Sequence, residues 1–126
     1  MAMVRRVVEL FNRHEIEEVL AMTHEDFEMD WSNSIGPVKG VYRGHDQVLE
    51  LWGAFTDPWE EFSWEPEEII ELDQERILLV NHFRARGRGS GVEVDAIGVQ
   101  LWTFEGGKGK SVKLFQTKEE ALAEAG

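Results

Sequence analysis

Val4, Val7, Val8 and Phe11 recur at helical spacing, which predicts an amphipathic helix over residues 2–13. Ile16, Val19 and Leu20 open a second, shorter helix. Phe27, Met29 and Trp31 then alternate as in a strand with one buried face, and Gly36-Pro37 and Gly40 interrupt it. A third helix starts at Gly44 and carries Val48, Leu49, Trp52 and Phe55 on one side. Asp57-Pro58 stops it, because proline disfavours a helical residue before it. Beyond that point the period drops to two. Phe62 and Trp64 alternate, residues 67–73 read as a strand ending at Asp73-Gln74-Glu75, and residues 76–88 form a long strand. Gly89-Ser90-Gly91 is a hairpin turn, with residues 92–104 as the partner strand. Glu105-Gly106-Gly107-Lys108 turns the chain into a last strand, 110–116. Thr117 with Glu120 fits a capping box for a short terminal helix.

Helices first and a hairpin-linked antiparallel sheet second give an α+β class. A length of 126 residues suits one domain, 1–126, without internal repeat or linker. Such a chain buries roughly two-thirds of its unfolded surface, enough for a core without staples. In the strand 92–104, Ile97, Val99 and Leu101 share one face, while Val94, Ala96, Gly98, Gln100, Trp102 and Phe104 share the other. A sheet apolar on both faces needs cover on both. Helices supply one layer, and a second copy of the chain is the natural cover for the other, so a homodimer through the sheet is expected.

Composition removes several possibilities. Apolar residues make up 42%, which argues against disorder, and the chain has no cysteine for disulfides or thiolate metal sites. No stretch approaches the roughly 20 apolar residues of a membrane span, and MAMVRRVVELFNRHE turns charged too early for a signal peptide. These features suggest a cytoplasmic protein. The net charge of −12 repels phosphate backbones, so nucleic acid is a poor partner. Charge is uneven: residues 57–75 are acidic with no Lys or Arg, and Arg84, Arg86 and Arg88 follow. Neighbouring strands attracting each other across a solvated face explain this, as would an anion patch. No phosphate loop, dinucleotide fingerprint or metal-ligand spacing occurs, so no cofactor and no metal are expected.

Five segments together carry a resemblance: VVELFNRHEIEEVLAM, FEMDWSNSIGPVKGVYRGHDQV, RARGRGSGVEV, QLWTFEGGK and LFQTKEEALAEAG. Their order and spacing resemble the SnoaL-like polyketide cyclase family, within the nuclear transport factor 2-like superfamily. The resemblance implies a curved sheet wrapped around three helices as a cone whose open end is a pocket. Relatives include isomerases, cyclases, epoxide hydrolases, dehydratases and proteins that only bind, so activity has to be argued from the site. The ketosteroid-isomerase-like base falls at Trp31, the tyrosine near Val7 and the second acid near Gln100, and none of these positions holds the required group. In the epoxide hydrolase pattern the arginine falls near Asn81 and the aspartates near Phe83 and Lys113. Asn33 alone matches, and a carboxamide cannot deprotonate water.

The pocket lining implied by the cone is Trp31, Asn33, Tyr42, Asn81, Phe83, Gln100, Trp102, Lys113 and Phe115. Asn33, Asn81 and Gln100 would orient polar atoms and the aromatics would supply burial. Trp52 reads as core; Trp59 and Trp64 would cover the open end. For acid–base work the candidates are Asp30 and His24. Asp95 and His82 share parity with outward positions, and His45 opens a helix. Lys113 joins the catalytic candidates if Phe115 points inward, since burial makes an ammonium easier to deprotonate; otherwise it snorkels or pairs with an acid. Two functions remain open. One is a cofactor-independent proton-transfer enzyme, of isomerase or cyclase type, on a small apolar carbonyl compound. The other is a non-catalytic ligand-binding or dimerisation module.

Overall fold

Helix α1 (Ala2–Asn12) buries Val4, Val7, Val8 and Phe11, the stripe its period predicts. It ends at His14, which adopts a left-handed conformation (φ 62°) while Glu15 N–H reaches back to Leu10 O at 2.9 Å. Helix α2 (Ile16–Ala21) and strand β1 (Thr23–Asp30) follow. The computed structural model describes residues 2–33 and 39–125, so the expected Gly36-Pro37 break lies outside the described residues. Trp31 N–H donates to Gly40 O at 2.8 Å across that connection. A short strand β2 (Val41–Arg43), absent from the sequence reading, pairs with β1, and helix α3 (His45–Thr56) starts after Gly44 (φ 84°).

Four strands complete the chain: β3 (Trp59–Glu71), β4 (Arg76–Gly87), β5 (Glu93–Glu105) and β6 (Lys108–Phe115). Residues 59–71 form one strand rather than two pieces. Pro66 is tolerated because β3 is an edge strand and the register slips between Pro66 and Glu68. The expected terminal helix is α4 (Lys118–Ala125), capped as predicted: Glu120 N–H donates to Thr117 Oγ1 at 3.2 Å.

The sheet runs β2-β1-β6-β5-β4-β3, antiparallel throughout except for the parallel β1–β6 pair. Helices α1, α2 and α3 fill its concave side around Phe27, Met29, Leu79, Trp102 and Val112. Asn12 seals part of the free edge of β3. Its amide donates to Trp64 O and accepts from Trp64 N–H, both at 2.8 Å.

Helix α4 supplies part of the cover that the second face needs. It lies on the convex side, where Ala121 and Ala125 pack with Leu78, Val80, Val99, Leu101 and Phe115. The apolar half of the second face is therefore covered within the chain, without a second copy. Of the apolar residues Ile97, Val99 and Leu101 in that row of β5, Ile97 stays open, 45% exposed. Towards the far end of β4, Arg84 pairs with Glu65, and Arg86 with Glu60 and Glu61. The basic and acidic runs thus attract each other across neighbouring strands.

Candidate functional site

Along the concave face of β4 the side chains change character in steps of two: Ile77, Leu79, Asn81, Phe83. Opposite them on β5 stand Trp102, Gln100, Gly98 and Ala96, shrinking as the strand leaves the core. The first two rungs are solid. Trp102 is 1% exposed and stacks on Phe27 with ring centres 5.8 Å apart. At Gly98 an added Cβ would meet no atom within 4 Å. A glycine inside a strand marks such open ground. The sheet leaves its core for a hollow at the Asn81–Gly98 rung.

Rings roof this hollow. Phe55 and Trp64 lie nearly parallel, 10° apart with centres at 5.5 Å, and Phe83 touches both at 5.4–5.6 Å. Trp31 meets Phe55 edge-on at 5.0 Å. The deep end, between Phe11, Met29, Trp31, Leu51, Trp52, Phe55, Trp64 and Gln100, holds a cavity of about 10 Å³, space for one water. The rings rest on one another. Trp52, Phe55, Trp59, Trp64 and Phe83 are each only partly buried.

The polar atoms here are carboxamides. Asn81 is 2% exposed, and its Oδ1 has no hydrogen-bond partner. Gln100 Oε1 accepts from Trp102 Nε1 at 3.0 Å. At the rim Gln116 Nε2 donates to Asn33 O at 2.9 Å, which ties the end of β6 to the turn after β1. None of the described side chains lining the hollow ionises.

Of the expected lining, Trp31 and Gln100 border this cavity, Asn81 and Phe83 face the same concave side from β4, and Asn33 is exposed after β1. Four expectations are corrected. Trp102 belongs to the solid core and acts on the hollow only by holding Gln100. Tyr42 packs on the core from β2, and its hydroxyl donates to Lys39 O at 3.0 Å, within its own loop. Phe115 faces the convex side, buried under α4, and Lys113 goes with it. The parity of β6 is set by Val112 and Leu114, which face inward opposite Trp102 and Gln100.

The acid–base candidates also stand elsewhere. Asp30 shares the convex side with Lys113, 3.9 Å away, and accepts from the Ser32 hydroxyl at 2.6 Å. Lys113 donates to Glu124 of α4 at 2.5 Å. That hydrogen bond, with the charges of Glu124 and Asp30, raises the lysine pKa above its ordinary value, the reverse of what a nucleophilic amine needs. His24 Nε2 donates to Glu105 O at 2.7 Å, pinning the β5–β6 turn, and His45 Nε2 donates to His24 O at 2.9 Å. His82 is clasped on the convex face by Glu67 and Asp95, and its hydrogen bond holds the Asp95 carboxyl below the usual range.

Sequence reasoning missed Gln116 and Phe55 here; Trp52, read as core, packs against the core and also borders the cavity. Gly98, inside an otherwise apolar strand, was the available signal for the hollow.

A family model for the SnoaL-like domain matches residues 4–112. No curated protein matches. Many solved structures share the fold. An NTF2-like protein of unknown function from Burkholderia pseudomallei is 26% identical, with 98% of this chain and 94% of that one covered, at a TM-score of 0.81. TerC, crystallised with polyporic acid, is 20% identical with coverages of 98% and 94% and a TM-score of 0.81. A protein from a Jannaschia species assigned as a SnoaL-like polyketide cyclase is 16% identical, with coverages of 98% and 90% and a TM-score of 0.74.

Proposed function

Since this chain belongs to the SnoaL-like domain family, we propose that it is a small-molecule-binding protein whose concave hollow holds a mostly apolar guest without transforming it. The family includes polyketide cyclases and other ligand-binding proteins, so membership leaves both possibilities open. One observation supports the binding reading: the side chains around the hollow are rings and carboxamides, while Asp30, His24 and Lys113 lie outside it. Proton transfer next to a carbonyl needs a group that can take the proton within hydrogen-bond reach. Asn81 and Gln100 can orient a carbonyl or hydroxyl but cannot exchange its protons at neutral pH.

The test is a thermal-shift screen with small neutral ketones, lactones and epoxides, followed by product analysis of the hits. The expected result is binding without turnover, unchanged in Asp30→Asn and Lys113→Ala. Turnover that Asp30→Asn or Lys113→Ala abolishes would overturn this reading in favour of an enzyme.

A second copy is proposed as the protein partner, on the part of the convex face that α4 leaves open. Exposed Ile97 flanked by His82, Arg84 and Asp95 supports this placement. Sedimentation at micromolar concentration should give a dimer that Ile97→Glu weakens.

A further inference from the structure

Strand β5 is longer than its neighbour β6. Residues 99–105 of β5 pair with β6, which ends at Phe115 opposite Val99. Beyond that point β6 leaves the sheet: Gln116 turns to Asn33 O, and Thr117 caps α4. Residues 93–98 pair with β4 on one side, and among the described residues no strand pairs with them on the other, over a length of about 20 Å. The ladder fixes which backbone groups face that open lane. Gly87 N–H donates to Val92 O at 2.7 Å, and antiparallel hydrogen bonding alternates along a strand. Val94, Ala96 and Gly98 therefore bond to β4, whereas Glu93, Asp95 and Ile97 turn their N–H and C=O groups to the lane. The two outer edges of the sheet are blunted by comparison. Strand β2 has three residues. Strand β3 gives the Trp64 N–H and C=O to Asn12, has no donor at Pro66 and slips register there.

We propose that the 93–98 edge of β5 is a docking site for an extended, cationic segment of a partner protein, which adds to the sheet as a strand antiparallel to β5. The side chains above and below the lane set the chemistry of that segment. On the convex side stand Glu93, Asp95 and Ile97, all exposed. Basic residues opposite the two acids and an apolar one opposite Ile97 match them, because facing side chains of opposite charge attract across a sheet. On the concave side Ala96 is small and exposed, and a Cβ at Gly98 would meet no atom within 4 Å. Apolar side chains of the incoming strand have room there. The chain's net charge of −12 draws a cationic partner in and turns an acidic one away. A second copy would bring the same two acids and the same net charge to the lane. The site is a backbone edge, so it does not depend on the guest proposed for the hollow.

The probe is an acetylated and amidated peptide, Val-Val-Ile-Lys-Val-Lys, whose two lysines come opposite Asp95 and Glu93. Amide hydrogen exchange of the full chain is followed by NMR. In the free protein the Asp95 and Ile97 amides should exchange fast, while those of Val94, Ala96 and Gly98 are protected. Millimolar peptide should slow the Asp95 and Ile97 amides about tenfold. A peptide N-methylated at its second and fourth residues, whose amides face β5, should lose the effect, and one methylated at the third and fifth should keep it. Glu93→Gln should weaken the peptide about threefold at low salt. Slow exchange of the Asp95 and Ile97 amides before any peptide is added would show the lane already filled, by the chain itself or by a second copy, and would overturn the proposal. So would the absence of slowing at millimolar peptide, an equal effect from Val-Val-Ile-Glu-Val-Glu or from the peptide methylated at its second and fourth residues, or protection confined to β2 or β3.

Discussion

The two faces of one sheet use polar residues in opposite ways. On the convex face, charges meet charges or backbone: Lys113 with Glu124 and Asp30, Lys118 with Glu68, His82 between Glu67 and Asp95. On the concave face none of the described side chains lining the cavity ionises, and Asn81 Oδ1 has no hydrogen-bond partner. The convex charges named above are answered from within the chain, so that face is organised for registry and the docking of α4. The concave face carries an unanswered acceptor next to rings that are only partly buried. A fold stabilised for its own sake would place a leucine at position 81.

The sharpest way to break this contrast is at its solid end. Trp102→Ala should cost about 3–5 kcal/mol in denaturant unfolding, because the ring fills the centre of the core. A much smaller loss would mean that the aromatic floor of the cone is soft throughout, with no boundary between core and hollow. Next comes the convex cover. Ala121 is fully buried against the sheet, so Ala121→Asp should cost about 2–3 kcal/mol and raise dye binding as Val99, Leu101 and Phe115 become accessible. If stability is unchanged, α4 is not the cover of that face.

The third prediction has the opposite sign. Asn81→Leu removes an unsatisfied buried acceptor and has the space beside Gly98 to expand into, so stability should hold or rise by about 1 kcal/mol. A clear destabilisation would show that the amide serves the fold rather than a guest. The smallest effect concerns Lys113. Its folded pKa is raised by Glu124, so the ion pair contributes below the unfolded lysine value and is lost as pH climbs through the folded one. Lys113→Gln should therefore lower stability by about 0.5 kcal/mol at neutral pH, with the gap to wild type closing above about pH 10.5.

The sequence made one face of this sheet easier to read than the other. Periodicity located α1, α3, β4 and β5, and it turned His82 and Asp95 outward, because long elements with one buried stripe leave a strong signal. Strand β2 has three residues, too few to show a period. In β6 the signal misled: Phe115 looks like an inward residue, yet it is buried on the outside because α4 lies over it. That single choice of parity carried Lys113 into the expected pocket. The hollow itself was half legible. Asn81, Phe83 and Gln100 followed from strand alternation, whereas the approach of Phe55 on α3 to Trp64 on β3 is a tertiary meeting that no local pattern encodes.

The parallel pairing of β1 with β6 has a consequence for how the protein is made. Residues 23–30 find one of their two neighbours only in residues 108–115. During synthesis, the emerging N-terminal portion holds β1 and β2 as a bare two-stranded ribbon, a piece that is marginal in water on its own. Its apolar side, with Phe27 and Met29, must wait for residues 108–115 to leave the ribosome before the sheet can close around it. Assembly therefore waits for β6, and a nascent chain stalled before β6 is the species most in need of a chaperone.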